Sequence, residues 1–193
     1  NGYIETWRNT ANGLEIFAEI HNDGMGCLDE LAEMDPRQLS ECLYMLANGQ
    51  GKGRMTKSIS SRRRLTWKLL FLSSGELTLG EHVESVGRVV KTGAEIRLVN
   101  ITADAGKRMG MFENLHGCSK PAEFAIRLRM AATRYYGAPI REFIRQITAK
   151  RLAVITDIRQ RMEVFLRDTG TLDAPIEVRR AARRFALAVA AGE

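Results

Sequence analysis

The chain has 193 residues, 45% of them apolar and 27% charged, and a net charge of +6. That length buries a real core in one or two domains, and the lack of any apolar run of about 18 residues excludes a helical membrane span. The three cysteines are widely spaced without a Cys-x-x-Cys pair and the three histidines are scattered, so no disulfide framework or zinc pattern is present and a reducing cytoplasm fits.

No signal-peptide pattern is visible. A first residue Asn1, and a helix still running at Gly192-Glu193, give the reading of a piece of a longer protein. Leu14, Phe17 and Ala18 fall at i, i+3 and i+4, which predicts a short amphipathic helix after Asn12-Gly13. In the turn-like run before it, Asn9, Thr10 and Asn12 are N-cap residues or phosphate contacts.

Asn22–Glu30 is small and apolar and ends in two adjacent carboxylates, Asp29 and Glu30. A buried strand has this look when it delivers an acidic pair to the carboxyl edge of a parallel sheet. In a P-loop ATPase the first acid holds the nucleotide's Mg²⁺ and the second polarises the attacking water. On that chemistry Asp29 is the metal-side acid and Glu30 the base. A solvated strand end carries the same dipeptide.

Asp35-Pro36 then caps and opens a helix that runs through Leu39, Cys42, Leu43 and Leu46 to Asn48-Gly49. The run Gly49-Gln50-Gly51-Lys52-Gly53-Arg54 lacks phosphate-loop spacing and follows a helix instead of a strand, so it is not the nucleotide cradle. It reads as a basic loop continuing through Lys57 and Arg62-Arg63-Arg64. Such a loop faces nucleic acid or a neighbour's nucleotide, or is a solvated hairpin.

Leu65–Glu76 is the most strand-like run, with a near-continuous apolar centre as in a parallel strand covered on both faces. Its hydroxyl tip, Ser73 and Ser74 with Glu76 behind, suits a position that senses a γ-phosphate or the attacking water. A helix over 81–91 closed by Gly93, and a strand over 95–101, complete an alternation that predicts a parallel sheet with crossover helices. Val86, Val89 and Val90 are assigned to its core. Residues 103–116 read as a connecting loop.

Beyond Ser119-Lys120-Pro121 the period is helical throughout, with helices over 121–136, from Pro139 to Thr169, and from Pro175 to Ala191. Residues 1–118 carry 14 Lys and Arg against 15 Asp and Glu, whereas residues 119–193 carry 15 against 8. A basic half beside a neutral one points to nucleic acid as partner. Arg179-Arg180 and Arg183-Arg184 form its densest basic stripe.

Several ordered blocks resemble one known family. They are Trp7 with Thr10–Glu15, His21–Asp23, Leu28–Glu30, Tyr44–Lys52, Trp67–Glu76, Gly93–Ile101 and Ala181–Leu187. Together they are similar to the domain-of-unknown-function family 927, bacterial and phage-associated proteins often labelled helicases of the primase–helicase type. The resemblance implies an α/β fold, a partial P-loop ATPase core of RecA or AAA+ type over 1–118, followed by a basic α-helical subdomain over 119–193.

The family's Walker A loop lies upstream of this stretch, so the resemblance implies poor ATP binding and no hydrolysis by it alone. By similarity Asp29 and Glu30 are the Walker B acids, with Asp29 on Mg²⁺ and ATP, and Ser73 and Ser74 are the sensor region. A ring ATPase also needs an Arg finger, worth roughly 10³- to 10⁵-fold in rate. Arg97 is the first choice, then Arg54 and Arg88.

The expected function is a fragment of a nucleic-acid-dependent ATPase, a cytoplasmic helicase or translocase. It acts on single-stranded DNA as a homo-oligomeric ring, away from membranes. Arg54, Lys57, Arg179, Arg180, Arg183 and Arg184 are the DNA contacts. The alternative is a non-catalytic nucleic-acid-binding or assembly module.

Overall fold

The computed structural model describes residues 3–54, 63–104 and 106–192. The chain forms two compact units, residues 1–100 and 101–193. The segment 101–118, read from the sequence as the end of the first part, groups with the helices that follow it. There Phe112 meets the Phe124 ring edge-on at 4.9 Å.

The first unit is built on a parallel sheet of three short strands, β1 (Ile4–Thr6), β2 (Met25–Asp29) and β3 (Leu70–Ser73), in the order β1-β2-β3. Register places Ile4 and Leu72 on either side of Cys27, and Leu70 beside Met25. Side chains alternate faces along a strand, so Gly26 and Leu28 point one way, and Met25 and Cys27 the other. The first face is buried, Leu28 at 2% exposure, whereas Ile4, Leu70 and Leu72 on the second are more than half exposed. The expected mixed α/β class with a parallel sheet is thus observed.

Helix α1 (Ala11–Ile20) begins where the Thr10 hydroxyl accepts the Gly13 amide, and it buries Leu14, Phe17 and Ala18. Gly26 lets it approach the sheet, since a Cβ there would stand 2.9 Å from the Phe17 ring. Helix α2 (Pro36–Asn48) starts at Asp35, whose carboxylate accepts the Arg37 amide, and ends at Gly49 with φ 71°. Leu39, Cys42, Leu43 and Leu46 of α2 complete the core with Trp7, Trp67, Leu79 and Val83.

Three sequence expectations fail around β3 and α3. The strand-like run 65–76 pairs with the sheet only over Leu70–Ser73; upstream, Thr66 bridges Gln50 antiparallel. Helix α3 (Leu79–Glu84) is shorter than predicted, because the chain turns at Gly87 with φ 70°. Val86 and Val89 consequently lie on the surface, Val89 at 87% exposure, while Val90 packs on the core.

No strand forms over 95–101. Helix α4 (Thr92–Glu95) occupies its start and buries Ala94 completely. The Ile96 and Leu98 amides are spent on Thr92 and Ala94 carbonyls at 3.2 and 3.0 Å, which leaves no ladder to join.

The second unit holds α5 (Pro121–Arg134), α6 (Ala138–Ala149), α7 (Arg151–Asp168) and α8 (Ile176–Gly192). The single long helix expected from Pro139 to Thr169 is broken at Lys150 (φ −126°, ψ 32°). Just before the break, the Thr148 hydroxyl donates to the Ile144 and Arg145 carbonyls at 2.8 and 3.0 Å, a back-bond that competes with the helical ladder. Helices α7 and α8 pack through Leu166, Ala182 and Ala186.

Candidate functional site

Parallel strands present all their carboxyl ends on one rim, and in open α/β sheets ligands bind there. β2 ends at Asp29 on this rim and β3 ends at Ser73, with Ser74 directly after it. The Ser74 hydroxyl donates to the Asp29 carboxylate and accepts the Glu30 amide at 3.3 Å. Backbone bonds seal the junction: Ser74 N donates to Leu28 O at 3.1 Å, and Leu31 N to Ser74 O at 3.0 Å. Asp29 is exposed and Glu30 half-buried.

Glu30 adopts φ 57° and ψ 79°, a left-handed conformation that costs a non-glycine residue on the order of 1–2 kcal/mol. Such strain persists only where neighbours over-determine it, and it concentrates at functional positions. Here the hydrogen bond from the Glu30 amide to Ser74 Oγ, and the one from the Glu33 amide to the Glu30 carbonyl at 3.1 Å, hold it. The turn that follows fits closely, because a Cβ on Gly75 would lie 3.0 Å from the Leu31 Cβ.

Ser73 is differently employed. Its Oγ accepts the indole N–H of the buried Trp7 at 2.9 Å and donates to the Ser74 carbonyl at 3.4 Å. Both capacities of this hydroxyl are used internally, so Ser73 braces the rim and Ser74 faces it. Trp7 follows β1 and ties all three strand ends together, its amide donating to Asp29 O at 3.0 Å. Sequence reasoning passed over this role. Nothing local marks it in the sequence, because it depends on the Ser73 hydroxyl sixty-six residues away.

The three arginines considered as fingers each have an intramolecular partner. Arg97 lies on the turn after α4, donates to Gly93 O at 2.6 Å and stacks 4.3 Å over the Tyr44 ring. Arg88 donates to Arg37 O at 3.1 Å. Arg54 pairs with Glu15 at 2.7 Å and with Asn12 at 2.6 Å.

Glu15 was also missed. It is fully buried on the apolar face of α1, and a lone charge among Leu14, Phe17 and Ala18 was the signal. Its carboxylate accepts the Arg54 guanidinium and the Lys52 amide. Burial works to raise the Glu15 carboxyl, but these bonds outweigh it and hold the group below the ordinary range. The carboxylate thereby pins the Gly49–Arg54 limb of a hairpin along α1. Gly51 N donates to Leu65 O and Trp67 N to Gly49 O, both at 2.9 Å, joining that limb to the returning one.

The hairpin's limbs carry Lys52, Arg54, Arg63 and Arg64; Lys57 and Arg62 lie outside the described residues. On α8, Arg179, Arg180, Arg183 and Arg184 are all exposed and step by one and three. Among the described residues no group of three or more His, Cys, Asp or Glu side chains could hold a metal ion. No described helix is long and apolar enough to cross a membrane.

The first unit is therefore a parallel α/β layer whose acidic and hydroxyl strand tips share one rim. Residues 1–64 match the model of a family described as a domain of unknown function, DUF927, and the chain is DUF927-like over that stretch. Trp7, Glu15, Asp29, Glu30 and the first limb of the hairpin fall inside the match; Ser73 and Ser74 lie beyond it. No curated protein and no solved structure matches the chain.

Proposed function

We propose that this chain is part of a nucleic-acid-dependent ATPase with a RecA- or AAA+-like core, working as a helicase or translocase. The observation that carries the reading is the Asp29–Ser74–Glu30 junction at the carboxyl rim. It is an acidic pair bonded to the hydroxyl tip of the adjacent strand, where open parallel sheets bind ligands.

The donor chemistry fits Mg-ATP. Mg²⁺ prefers oxygen donors and is usually held by one or two carboxylates together with substrate phosphates, not by an all-protein cage. Asp29 would hold the metal, and Ser74 would keep that carboxylate oriented and contact the nucleotide. When bound, Mg-ATP supplies the transferable phosphoryl group and its charge neutralisation. Glu30, fixed by its strained backbone, would accept the proton of the attacking water. The phosphate-cradling loop has no counterpart in this sequence, so the reading requires one from outside these 193 residues. Arg54 on the hairpin, Lys57 in the sequence beyond it and, separately, the four arginines of α8 would contact single-stranded DNA. A ring of identical subunits would bring Arg97 or its alternates toward a neighbour's nucleotide.

A second reading is a non-catalytic nucleic-acid-binding or assembly module. The lack of a phosphate loop and the exposed arginines of α8 favour it. The deciding experiment is Glu30→Gln in the full-length protein, assayed with and without single-stranded DNA. Turnover should vanish while ATP binding persists. Wild-type turnover removes Glu30 from the base role.

A further inference from the structure

Between α1 and the base of the hairpin lies a cavity of about 240 Å³ that the rim chemistry does not use. Asn12 and Ile16 of α1 form one wall, and Lys52, Arg63 and Leu65 of the hairpin the other. The Glu15–Arg54 pair also lines it. Small-molecule pockets typically run from about 300 to 1,000 Å³, so this one is small for a cofactor and suits a phosphate with its sugar.

Three cations and one carboxylate line it. The carboxylate is already satisfied, with one oxygen on the Lys52 amide at 3.1 Å and the other on Arg54 at 2.7 Å. The lining therefore carries a net positive charge. Arg54 is held by Glu15 and Asn12, so its planar fork is ordered before any ligand arrives. Lys52 pairs with Glu41 at 3.0 Å, but both side chains are about half exposed or more. Exposed pairs are weak, and a phosphate competes readily for that ammonium. Ile16 and Leu65 offer an apolar surface without a ring, so a sugar packs there and a base does not stack.

We propose that this cavity is an anion site that seats one backbone phosphate of a nucleic-acid strand, contacted by Lys52 and Arg63 over the anchored Arg54. Binding there is independent of base sequence, because every contact is to phosphate or sugar. The proposal rests on the nucleic-acid half of the reading above and needs nothing from the ATPase half. It also gives Glu15 a purpose. A buried acid on α1 arranges a basic surface that the helix itself does not carry.

The test uses the full chain, a fluorescein-labelled 15-nucleotide oligothymidylate read by anisotropy, and unlabelled tripolyphosphate and AMP as competitors. Lys52→Ala and Arg63→Ala each remove an exposed side chain, so folding is preserved and checked by circular dichroism. Each should weaken strand binding about 3- to 10-fold near 0.1 M salt and lower the salt slope by roughly one. Tripolyphosphate should displace the strand from wild type. A double variant with wild-type affinity and slope overturns the site while leaving the nucleic-acid reading intact. AMP competing as well as the strand overturns the strand assignment in favour of free nucleotide. A wild-type chain that binds no oligonucleotide at low salt overturns both the assignment and the reading beneath it.

Discussion

The two units of this chain are specified in different ways. In the first, distant residues determine one another: Trp7 reaches Ser73, Trp67 donates to Leu46 O at 2.9 Å, and His82 meets Met34 O at 2.8 Å. Even its buried Glu15, His21 and His82 have partners, and among the described residues no buried side-chain nitrogen or oxygen lacks one. In the second, side-chain bonds join neighbours mostly within four residues, as in Arg145–Glu142 and Arg161–Asp157. Helices α5 and α6 bury no residue, and burial is confined to Leu166, Ala182, Ala186 and Ala190 on α7 and α8. A unit held by non-local contacts should fail as a whole. One held by local contacts should fray piece by piece.

The strongest test of that contrast is Trp7→Ala. It removes a side chain of 1% exposure together with the bond that braces Ser73. The expected loss is about 3–5 kcal/mol, read from urea unfolding with Trp67 as the remaining tryptophan reporter. Leu166→Ala should cost about 2 kcal/mol, near the low end for such a change, because its neighbours on α8 are alanines. It should shift the helical circular dichroism signal and leave the Trp67 transition in place. Parallel shifts of both signals in both variants would mean that the units unfold as one cooperative body, and the contrast would be lost.

The same contrast explains what could be read in the sequence. Helix α2 was legible to its ends, because Asp35-Pro36 and Gly49 are local signals with local causes. β2 and the apolar part of β3 were legible from composition. The strand predicted over 95–101 was not a strand, because Ala94 is drawn into the core and Arg97 onto Tyr44, and neither pull is local. β1 went unrecognised since three residues carry too little pattern. At the candidate site, Asp29, Glu30, Ser73 and Ser74 were legible as residues. The division of labour between the two serines was not, for it depends on where a tryptophan sixty-six positions away points its N–H.

Glu15 separates the units by acidity as well as by mutation. Glu15→Ala strands a partly buried Arg54 and should cost about 2 kcal/mol, less than the 3–5 of a fully buried pair because Arg54 reaches solvent. The carboxyl titrates below its ordinary value of 4.5 in the folded chain. Its stabilising contribution is therefore complete above about pH 4.5 and is lost as the pH falls through the lowered value. Comparing urea midpoints at pH 7 and pH 3.5 should show a larger drop in wild type than in Glu15→Gln, on the Trp67 signal. Equal drops would mean that the clasp contributes nothing to the first unit.

The smallest effect compares one device in both units. At α3 the Thr78 hydroxyl accepts the Glu81 amide at 3.2 Å while the Glu81 carboxylate accepts the Thr78 amide at 2.8 Å, a closed capping box. At α5 only half of it exists. Glu123 accepts the Ser119 amide and hydroxyl at 2.9 and 2.8 Å, but the N-cap residue Lys120 makes no side-chain bond to the first turn. The carboxyls of Glu81 and Glu123 are both held below their ordinary value by these bonds. Thr78→Ala opens a first turn whose Leu79 is wholly buried, so the loss, about 1 kcal/mol, should be felt by the whole first unit. Ser119→Ala opens a turn on a helix that buries nothing, so its consequence should stop there. Amide hydrogen exchange distinguishes the cases: protection should fall from α3 into α2 in the first variant, and within α5 alone in the second. Exchange confined to the first turn of α3 would show that the first unit, too, yields locally at its edge.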